Sequence, residues 1–507
     1  MSRQLFRRTT LVSANTFFSR ILGFVRDIVV AHYFGASVGA DAFFVAFRIP
    51  NFMRALFAEG AFSQAFIPVL AKYRQTKSHE DTRVFIDRVT GDLAAVLTIV
   101  AVLGVIFASF VITIFAPGFL KDPVRFVLAT HMLRVMFPYV LLISVTALCS
   151  GILNTYDSFG VPAFTPVLLN IILIVMAIFA ASHFATPIYA LAWGVLIAGV
   201  AQVLFQLPFL FHKRVLPRLS ISFKDPGVRR VLKLMAPAIV GVSVVQLSLL
   251  LDTLFASFLP VGSVSWLYYS SRLMNFPLGV FGVAIATVIL PKLARQHNAK
   301  DHASFSGTLD WGLRVLLLIA VPSTVGLWIL SGPLLATLFK TGRFDVNDVL
   351  MTQQSLIAFS SGIAAFMLIK VLASAFYAKQ DIATPVRIAV AAVTLKIILN
   401  LILIFPLKHV GLALSTSLSA FFNVALLLIF LLRRKLYQPQ SGWGVYFLRL
   451  VIANMLMGLF LFFVKGNMSV WFSHERFWRI EYLTILLLGA VIIYFGSLFG
   501  AGSRLRL

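Results

Sequence analysis

The feature that most constrains this chain is a series of apolar runs, each roughly 20 residues long, the length that a helix needs to span a bilayer. These runs recur from one end of the chain to the other. The chain is 60% hydrophobic and 12% charged, whereas soluble domains carry about 25% charged residues. The pattern predicts an all-α polytopic membrane protein, and the alternating segments of a membrane β-barrel are missing.

The apolar runs define the predicted transmembrane spans. The connections between them are short, and none is long enough to form a separate soluble domain. The fourteen predicted spans are 9–34, 41–70, 88–116, 126–152, 163–184, 188–211, 232–259, 266–291, 311–331, 350–377, 384–405, 410–432, 445–464 and 479–500.

Lysine and arginine are distributed unevenly between the two sides that these spans imply. One side carries 25 of them and the other carries 8. Because cytoplasmic loops are enriched in Lys and Arg, the richer side is predicted to be cytoplasmic. An even number of spans then places both termini in the cytoplasm. The net charge of +25 is explained in this way by membrane topology, and we expect no nucleic-acid partner.

Short motifs recur in the same order in the two halves of the chain. Phe47–Phe52 (FRIPNF) and Ser271–Phe276 (SRLMNF) share Arg-x-x-Asn-Phe, and IPVLAK downstream of the first matches LPKLAR downstream of the second. The repeat predicts two pseudo-symmetric lobes of six helices with the same topology, an arrangement typical of alternating-access transporters. The predicted units are 1–212 for the first lobe, 226–435 for the second, and 443–507 for two additional C-terminal helices.

The first two spans carry charges that helices facing only lipid would not tolerate. Each charge at mid-bilayer costs on the order of 2.5–3.5 kcal/mol on insertion scales. We therefore expect these side chains to line a water-filled cavity. The charged residues between Ser19 and Lys72 are Arg20, Arg26, Asp27, Asp41, Arg48, Arg54 and Glu59.

Helical spacing leaves two interpretations open for four of these charges. Arg48 follows Asp41 by seven residues, and Asp27 follows Arg20 by seven. Residues at that spacing lie on nearly the same helix face, two turns apart. Each pair is either a structural ion pair or part of a network that supports the cavity.

Three further arginines have no obvious partner in the sequence. Arg26 and Arg54 have no acid three or four residues away, and Arg272 in the eighth span has none within nineteen positions. Guanidinium groups stay charged when partly desolvated and match phosphate oxygens bidentately. The excess of cations therefore predicts an anionic ligand and argues against a cationic drug.

A second set of polar residues lies in the seventh and eleventh spans. Asp252 stands alone in LLLDTLFAS, while Lys396 and Asn400 lie one turn apart in TLKIILN. An acid within the membrane suggests an ion or proton site. A salt bridge between Asp252 and Lys396 is the alternative, and the sequence leaves both open.

Signatures of catalysis are missing from the sequence. No G-x-x-x-x-G-K-[ST] loop is present, so no ATPase is predicted, and the nine histidines form no H-E-x-x-H motif. No connection is long enough to position a second substrate for a membrane-embedded transferase. We therefore expect a protein that is not an enzyme.

Two long stretches carry a family resemblance. SRILGFVRD…DAFFVAFRIPNFMRALFAEGAFSQAFIPVL and GSVSWLYYSSRLMNFPLGVFGVAIATVILP closely resemble the MurJ (MviN) family of lipid II flippases, within the multidrug/oligosaccharidyl-lipid/polysaccharide exporter superfamily. The resemblance covers essentially the whole chain. It implies two six-helix lobes in a V-shape and two further helices, whose groove takes the polyprenyl tail of the substrate.

The function that the resemblance implies is transport of a lipid-linked precursor of the cell wall. Lipid II, an undecaprenyl-diphosphate-linked disaccharide-pentapeptide, would pass from the cytoplasmic to the periplasmic leaflet of the bacterial inner membrane, for peptidoglycan synthesis. The family's functional residues map onto a set that binds the head group and onto supporting positions. The implied head-group residues are Arg20, Arg26, Arg54 and Arg272, and the supporting ones include Asp41 and Glu59.

The resemblance also raises the question of an ion. Some members bind sodium through acids on helices 7 and 11. This chain keeps Asp252, and Thr416 is a matching ligand, but helix 11 carries Lys396 and Asn400, which puts sodium in doubt. Coupling to sodium, to protons or to the membrane potential stays open, and no other cofactor is expected.

Partners and alternative functions complete the expectations. We expect lipid II and membrane lipids as partners and a monomer, with association with the wall-synthesis machinery left open. The alternatives are a polysaccharide-lipid or drug exporter, a membrane-embedded glycosyltransferase or polymerase, and a scaffold that does not transport.

Overall fold

The computed structural model describes the backbone of residues 3–56 and 61–500, and over these ranges it contains helices and no strands. This confirms the all-α prediction. Ten helical segments of the described chain are long and apolar enough to cross a membrane, so the protein is a multi-pass membrane protein. The count of fourteen stays a prediction.

The helices follow one another with short connections. A 3-10 turn at Pro117–Lys121 and π-helical turns at Met176–Ala180 and Leu278–Gly282 lie between them. The helices are α1 (Arg3–Phe34), α2 (Val38–Arg54), α3 (Ala61–Thr76), α4 (His79–Ile106), α5 (Ala108–Phe115), α6 (Pro123–Met136), α7 (Tyr139–Thr155), α8 (Gly160–Val175), α9 (Tyr189–His212), α10 (Pro226–Ala256), α11 (Ser263–Pro277), α12 (Val283–Asn298), α13 (His302–Leu338), α14 (Val346–Ser360), α15 (Ile363–Tyr377), α16 (Ala383–Arg433), α17 (Trp443–Val464), α18 (Met468–Ser473) and α19 (Arg476–Gly500).

The difference between ten segments and fourteen predicted spans has physical causes. Helix α16 contains two predicted spans, which meet at a break where Lys408 adopts φ 49° and ψ −127°. Helices α1 and α2 carry charged side chains that reduce their apolar character.

The chain forms two compact units, Met1–Val264 and Ser265–Leu507. In the first, α1 packs on α8, α2 on α6, α9 on both α7 and α8, and α10 on α3. A buried cluster that includes Phe62, Phe66 and Phe85 joins α3 and α4. The predicted lobes 1–212 and 226–435 stay a prediction.

A close approach of backbones fixes the 3-10 turn after α5. The Gly118 N–H donates to the Ser257 hydroxyl at 3.0 Å. A side-chain carbon at Gly118 would overlap the backbone of Ser257. Only glycine lets the turn and the C-terminal end of α10 come this close.

In the second unit, a buried acid holds the connection between α16 and α17. Asp310 on α13 is 1% exposed. Its carboxylate accepts hydrogen bonds from the Tyr437 hydroxyl at 2.7 Å, the Trp443 indole at 2.8 Å and the Gln440 N–H at 3.2 Å. Arg314 Nε also donates to it at 2.7 Å, so the charge is paired and fully hydrogen-bonded.

Candidate functional site

A buried ion pair lies in the C-terminal third of α1. Arg26 and Asp27 are 7% and 1% exposed, and Arg26 Nη2 and Nε donate to Asp27 Oδ1 at 2.6 and 3.0 Å. Arg26 Nη1 donates to Asn170 Oδ1 on α8 at 3.2 Å, and Asn170 Nδ2 donates to the Ser19 carbonyl at 3.2 Å. The network fastens α1 to α8. Asp27 pairs with its neighbour Arg26, and the alternative of a pair between Arg20 and Asp27 stays a prediction.

Helix α2 is held against α10 and the connection that follows it through two of the predicted charges. Asp41 is fully buried and accepts a hydrogen bond from the Gly262 N–H at 2.7 Å. Arg48 Nη1 donates to the Thr253 hydroxyl at 2.8 Å and to the Leu249 carbonyl at 3.1 Å. Asp41 lies in the first turn of α2, where the helix dipole stabilises a negative charge. Its burial in protein differs from the expected lining of a water-filled cavity.

A cavity of about 270 Å³ opens beside Arg54, at the C-terminal end of α2. It lies among α3, α7, α8 and α9. The described residues that line it include one guanidinium group and no acid. The uncharged polar side chains around it are Ser63, Thr146, Ser150, Asn154, Thr165 and Gln202.

The remaining predicted head-group residues fall in different places. Arg20 is exposed on α1, and Glu59 lies outside the described residues. Arg272 is half-buried on α11, with its guanidinium 5.8 Å from the centre of the Tyr268 ring. Because Arg272 belongs to the second compact unit, its place opposite the other arginines stays a prediction.

The predicted ion or salt-bridge residues are also divided between the units. Lys396 and Asn400 are buried one turn apart on α16, and the Ser415 hydroxyl donates to Asn400 Oδ1. The Thr416 hydroxyl donates to a carbonyl of its own helix at 2.9 Å. Asp252 is half-buried on α10. Its predicted salt bridge to Lys396 stays a prediction.

Sodium at Asp252 stays an open prediction. Hard cations take oxygen ligands, and the predicted oxygen donors are divided between the two units, with the buried ammonium group of Lys396 one turn from Asn400. No group of three or more His, Cys, Asp or Glu side chains among the described residues is placed to hold a metal.

Sequence analysis did not identify two amide side chains that belong to the site. Asn170 on α8 completes the α1 network, and Gln202 on α9 lines the cavity. The available signal was an amide within an otherwise apolar span, since polar side chains in spans tend to face the protein interior.

Comparison with known proteins gives one consistent result over nearly the whole chain. The family model for lipid II flippase MurJ matches residues 30–482. A probable lipid II flippase MurJ from Haemophilus influenzae is 43% identical over 502 residues, which cover 96% of this chain and 98% of that protein. The lipid II flippase MurJ from Burkholderia cenocepacia is 43% identical over 506 residues, which cover 99% and 98%.

The fold agrees with this relationship. A solved structure of a lipid II flippase MurJ in an inward closed conformation superposes with a TM-score of 0.80 at 29% sequence identity. The match covers 97% of this chain and 98% of the other.

Proposed function

This chain belongs to the lipid II flippase MurJ family, and from that membership we propose that it moves lipid II across a bacterial membrane. The undecaprenyl-diphosphate-linked precursor passes from the cytoplasmic to the periplasmic leaflet by alternating access. The transported lipid then serves peptidoglycan synthesis. The protein carries out no covalent chemistry on it.

The observation that carries the proposal is the chemistry around Arg54. The guanidinium group of Arg54 lines a cavity together with hydroxyl and amide side chains. Arginine binds phosphate oxygens through paired, charge-assisted hydrogen bonds. An anionic lipid head group suits this arrangement.

We assign different roles to the arginines that the sequence singled out. Arg54, with Arg20 on α1 and Arg272 on α11, contacts the diphosphate and its neighbouring groups. Arg26 is already paired with Asp27, so much of its charge is neutralised and its main role is to hold α1 on α8. Asp41 and Arg48 support the site by fixing α2.

The lipid tail and the energy source belong to the same proposal. The undecaprenyl chain stays in the bilayer against α17 and α19, which expose large apolar side chains such as Leu448, Met455 and Ile492. Transport draws on the membrane potential or an ion gradient. We propose a monomer in the inner membrane with both termini in the cytoplasm, because the Lys- and Arg-rich connections favour that orientation.

The test is complementation of a bacterium depleted of its own flippase, with lipid II measured at the outer face of the membrane. The wild-type chain is expected to restore growth and externally accessible lipid II. Arg54→Ala is expected to lower external lipid II at equal expression, because the head group loses a charged contact.

Arg387→Ala is the matched control, since this arginine is exposed on α16 and should leave transport unchanged. Growth without any external lipid II would refute the proposed function. Covalent product formed from labelled lipid II by the purified protein would identify an enzyme instead.

A further inference from the structure

The lining of the cavity beside Arg54 combines uncharged polar groups with apolar surface. Ile67, Ile143 and Leu169 line it together with the hydroxyl and amide side chains described above. A site that bound only a diphosphate would be expected to offer several cations. This lining instead suits a neutral group that has both hydroxyls and apolar faces.

One amide in the lining has an unused acceptor. Gln202 is 2% exposed, and its Nε2 donates to the Thr165 carbonyl at 3.2 Å. Its Oε1 is buried and has no hydrogen-bond partner among the described residues. A buried acceptor left in this state is costly, so Gln202 Oε1 is an available acceptor for a donor that enters the cavity, either water or a ligand.

The neighbouring polar groups are held in place by bonds within the protein. Gln206 Nε2 donates to the Ser150 hydroxyl oxygen at 2.9 Å and to Thr165 Oγ1 at 3.0 Å. The Thr165 hydroxyl in turn donates to the Val161 carbonyl at 2.9 Å. These bonds join α7, α8 and α9, so the polar wall is already arranged before any ligand arrives.

The size of the cavity limits what it holds. At about 270 Å³ it lies near the lower end of ligand sites, which run from roughly 300 to 1,000 Å³. That is room for one ring-sized unit and not for a disaccharide with a pentapeptide.

We propose that this cavity is a subsite for one neutral, N-acetylated sugar ring, the one attached directly to the diphosphate. The proposal rests on the proposed function. Covalent connection places that ring next to any phosphate that Arg54 contacts. Its hydroxyl or amide N–H donates to Gln202 Oε1, and Asn154 offers a second amide. The peptide is a poorer fit, since its carboxylates would need more cations than the described lining provides.

The experiment measures the affinity of the purified full-length protein for two lipids. One is undecaprenyl diphosphate, and the other is undecaprenyl diphosphate bearing a single N-acetylated sugar. Gln202→Leu is expected to weaken binding of the glycosylated lipid about 3–10-fold, the usual effect of losing one neutral hydrogen bond. Binding of the sugar-free lipid should be unchanged, whereas Arg54→Ala should weaken both.

Two further variants keep the proposal testable if Gln202→Leu does not fold. Asn154→Ala removes a different amide, and Ala147→Leu fills part of the same cavity. Both are expected to show the same selective loss. Gln354→Leu is the matched control because this glutamine is exposed on α14, and it should bind both lipids like the wild type.

The outcomes separate this inference from the proposed function. The subsite proposal would be overturned if all three cavity variants bound the glycosylated lipid as tightly as the wild type does. The cavity would then hold only water. Equal losses for both lipids would also overturn the subsite proposal, since the residues would then act on the diphosphate. A wild-type protein that binds neither lipid would count against the proposed function itself.

Discussion

The buried pair of Arg26 and Asp27 predicts a large loss of stability when only the acid is removed. Asp27→Asn keeps the shape of the side chain and deletes its charge. It leaves a guanidinium that is 7% exposed beside an amide in place of a carboxylate, while the hydrogen bond to Asn170 is kept. Breaking one side of a buried pair typically costs about 3–5 kcal/mol. We expect the free energy of unfolding to fall by that amount.

The assay is denaturant unfolding of the purified protein in a fixed detergent, compared with Arg26→Met and with Arg26→Met/Asp27→Leu. Removing both charges leaves no uncompensated ion, so the double variant is expected to lie within about 1–2 kcal/mol of the wild type. The double variant also separates the two roles of Arg26. Restored transport would mean that Arg26 mainly holds α1 on α8, and a stable but inactive protein would mean that it contacts the head group.

Asp27→Asn within about 0.5 kcal/mol of the wild type would refute the reasoning. Such a result would mean that water or another group compensates Arg26 in the folded protein. The pairing itself would be refuted if the loss of unfolding free energy in the double variant equalled the sum of the losses in the two single variants.

Three further changes test the connections of the fold. Gly118→Ala should destabilise the protein by about 1–3 kcal/mol, because its methyl group would overlap the backbone of Ser257; thermal unfolding measures this. Asp310→Ala should cost about 3 kcal/mol or more, since four donors lose their acceptor, and protease cleavage between α16 and α17 should increase. Burial would raise the pKa of Asp381, but hydrogen bonds, including one from Arg434 at 2.7 Å, outweigh it and lower that pKa. The ionised carboxylate of Asp381 therefore stabilises the folded protein above the unfolded pKa of about 3.9, and this stabilisation is lost as the pH falls below that value. In the Asp381→Asn variant, the free energy of unfolding should fall less between about pH 5 and pH 3 than in the wild type. The same pH dependence in both proteins would contradict this.

Hydrophobic patterning was sufficient to predict the fold class. Runs of bilayer length must satisfy their own backbone hydrogen bonds, and helices do this within one segment. The sequence also singled out Arg54 as a cation with no acid three or four residues away, and the structure places it beside a cavity that contains hydroxyl and amide groups. Local sequence is informative here because bilayer length and helical periodicity are properties of single segments.

The partners of the charges were decided by tertiary structure. Asn170 reaches Arg26 across 144 positions of sequence, and Gly262 reaches Asp41 across 221. Spacing rules consider only residues one or two turns apart on one helix, so they did not identify the ion pair between the adjacent Arg26 and Asp27.

The cavity beside Arg54 exists only because five helices meet there. Gln202 looks like any polar residue in an apolar span until α9 packs against α7 and α8. The sequence by itself determined a helical membrane protein with an excess of cations in its predicted spans. Which cations are neutralised and which face a ligand depends on contacts between distant segments, because burial and hydrogen bonding are set by packing.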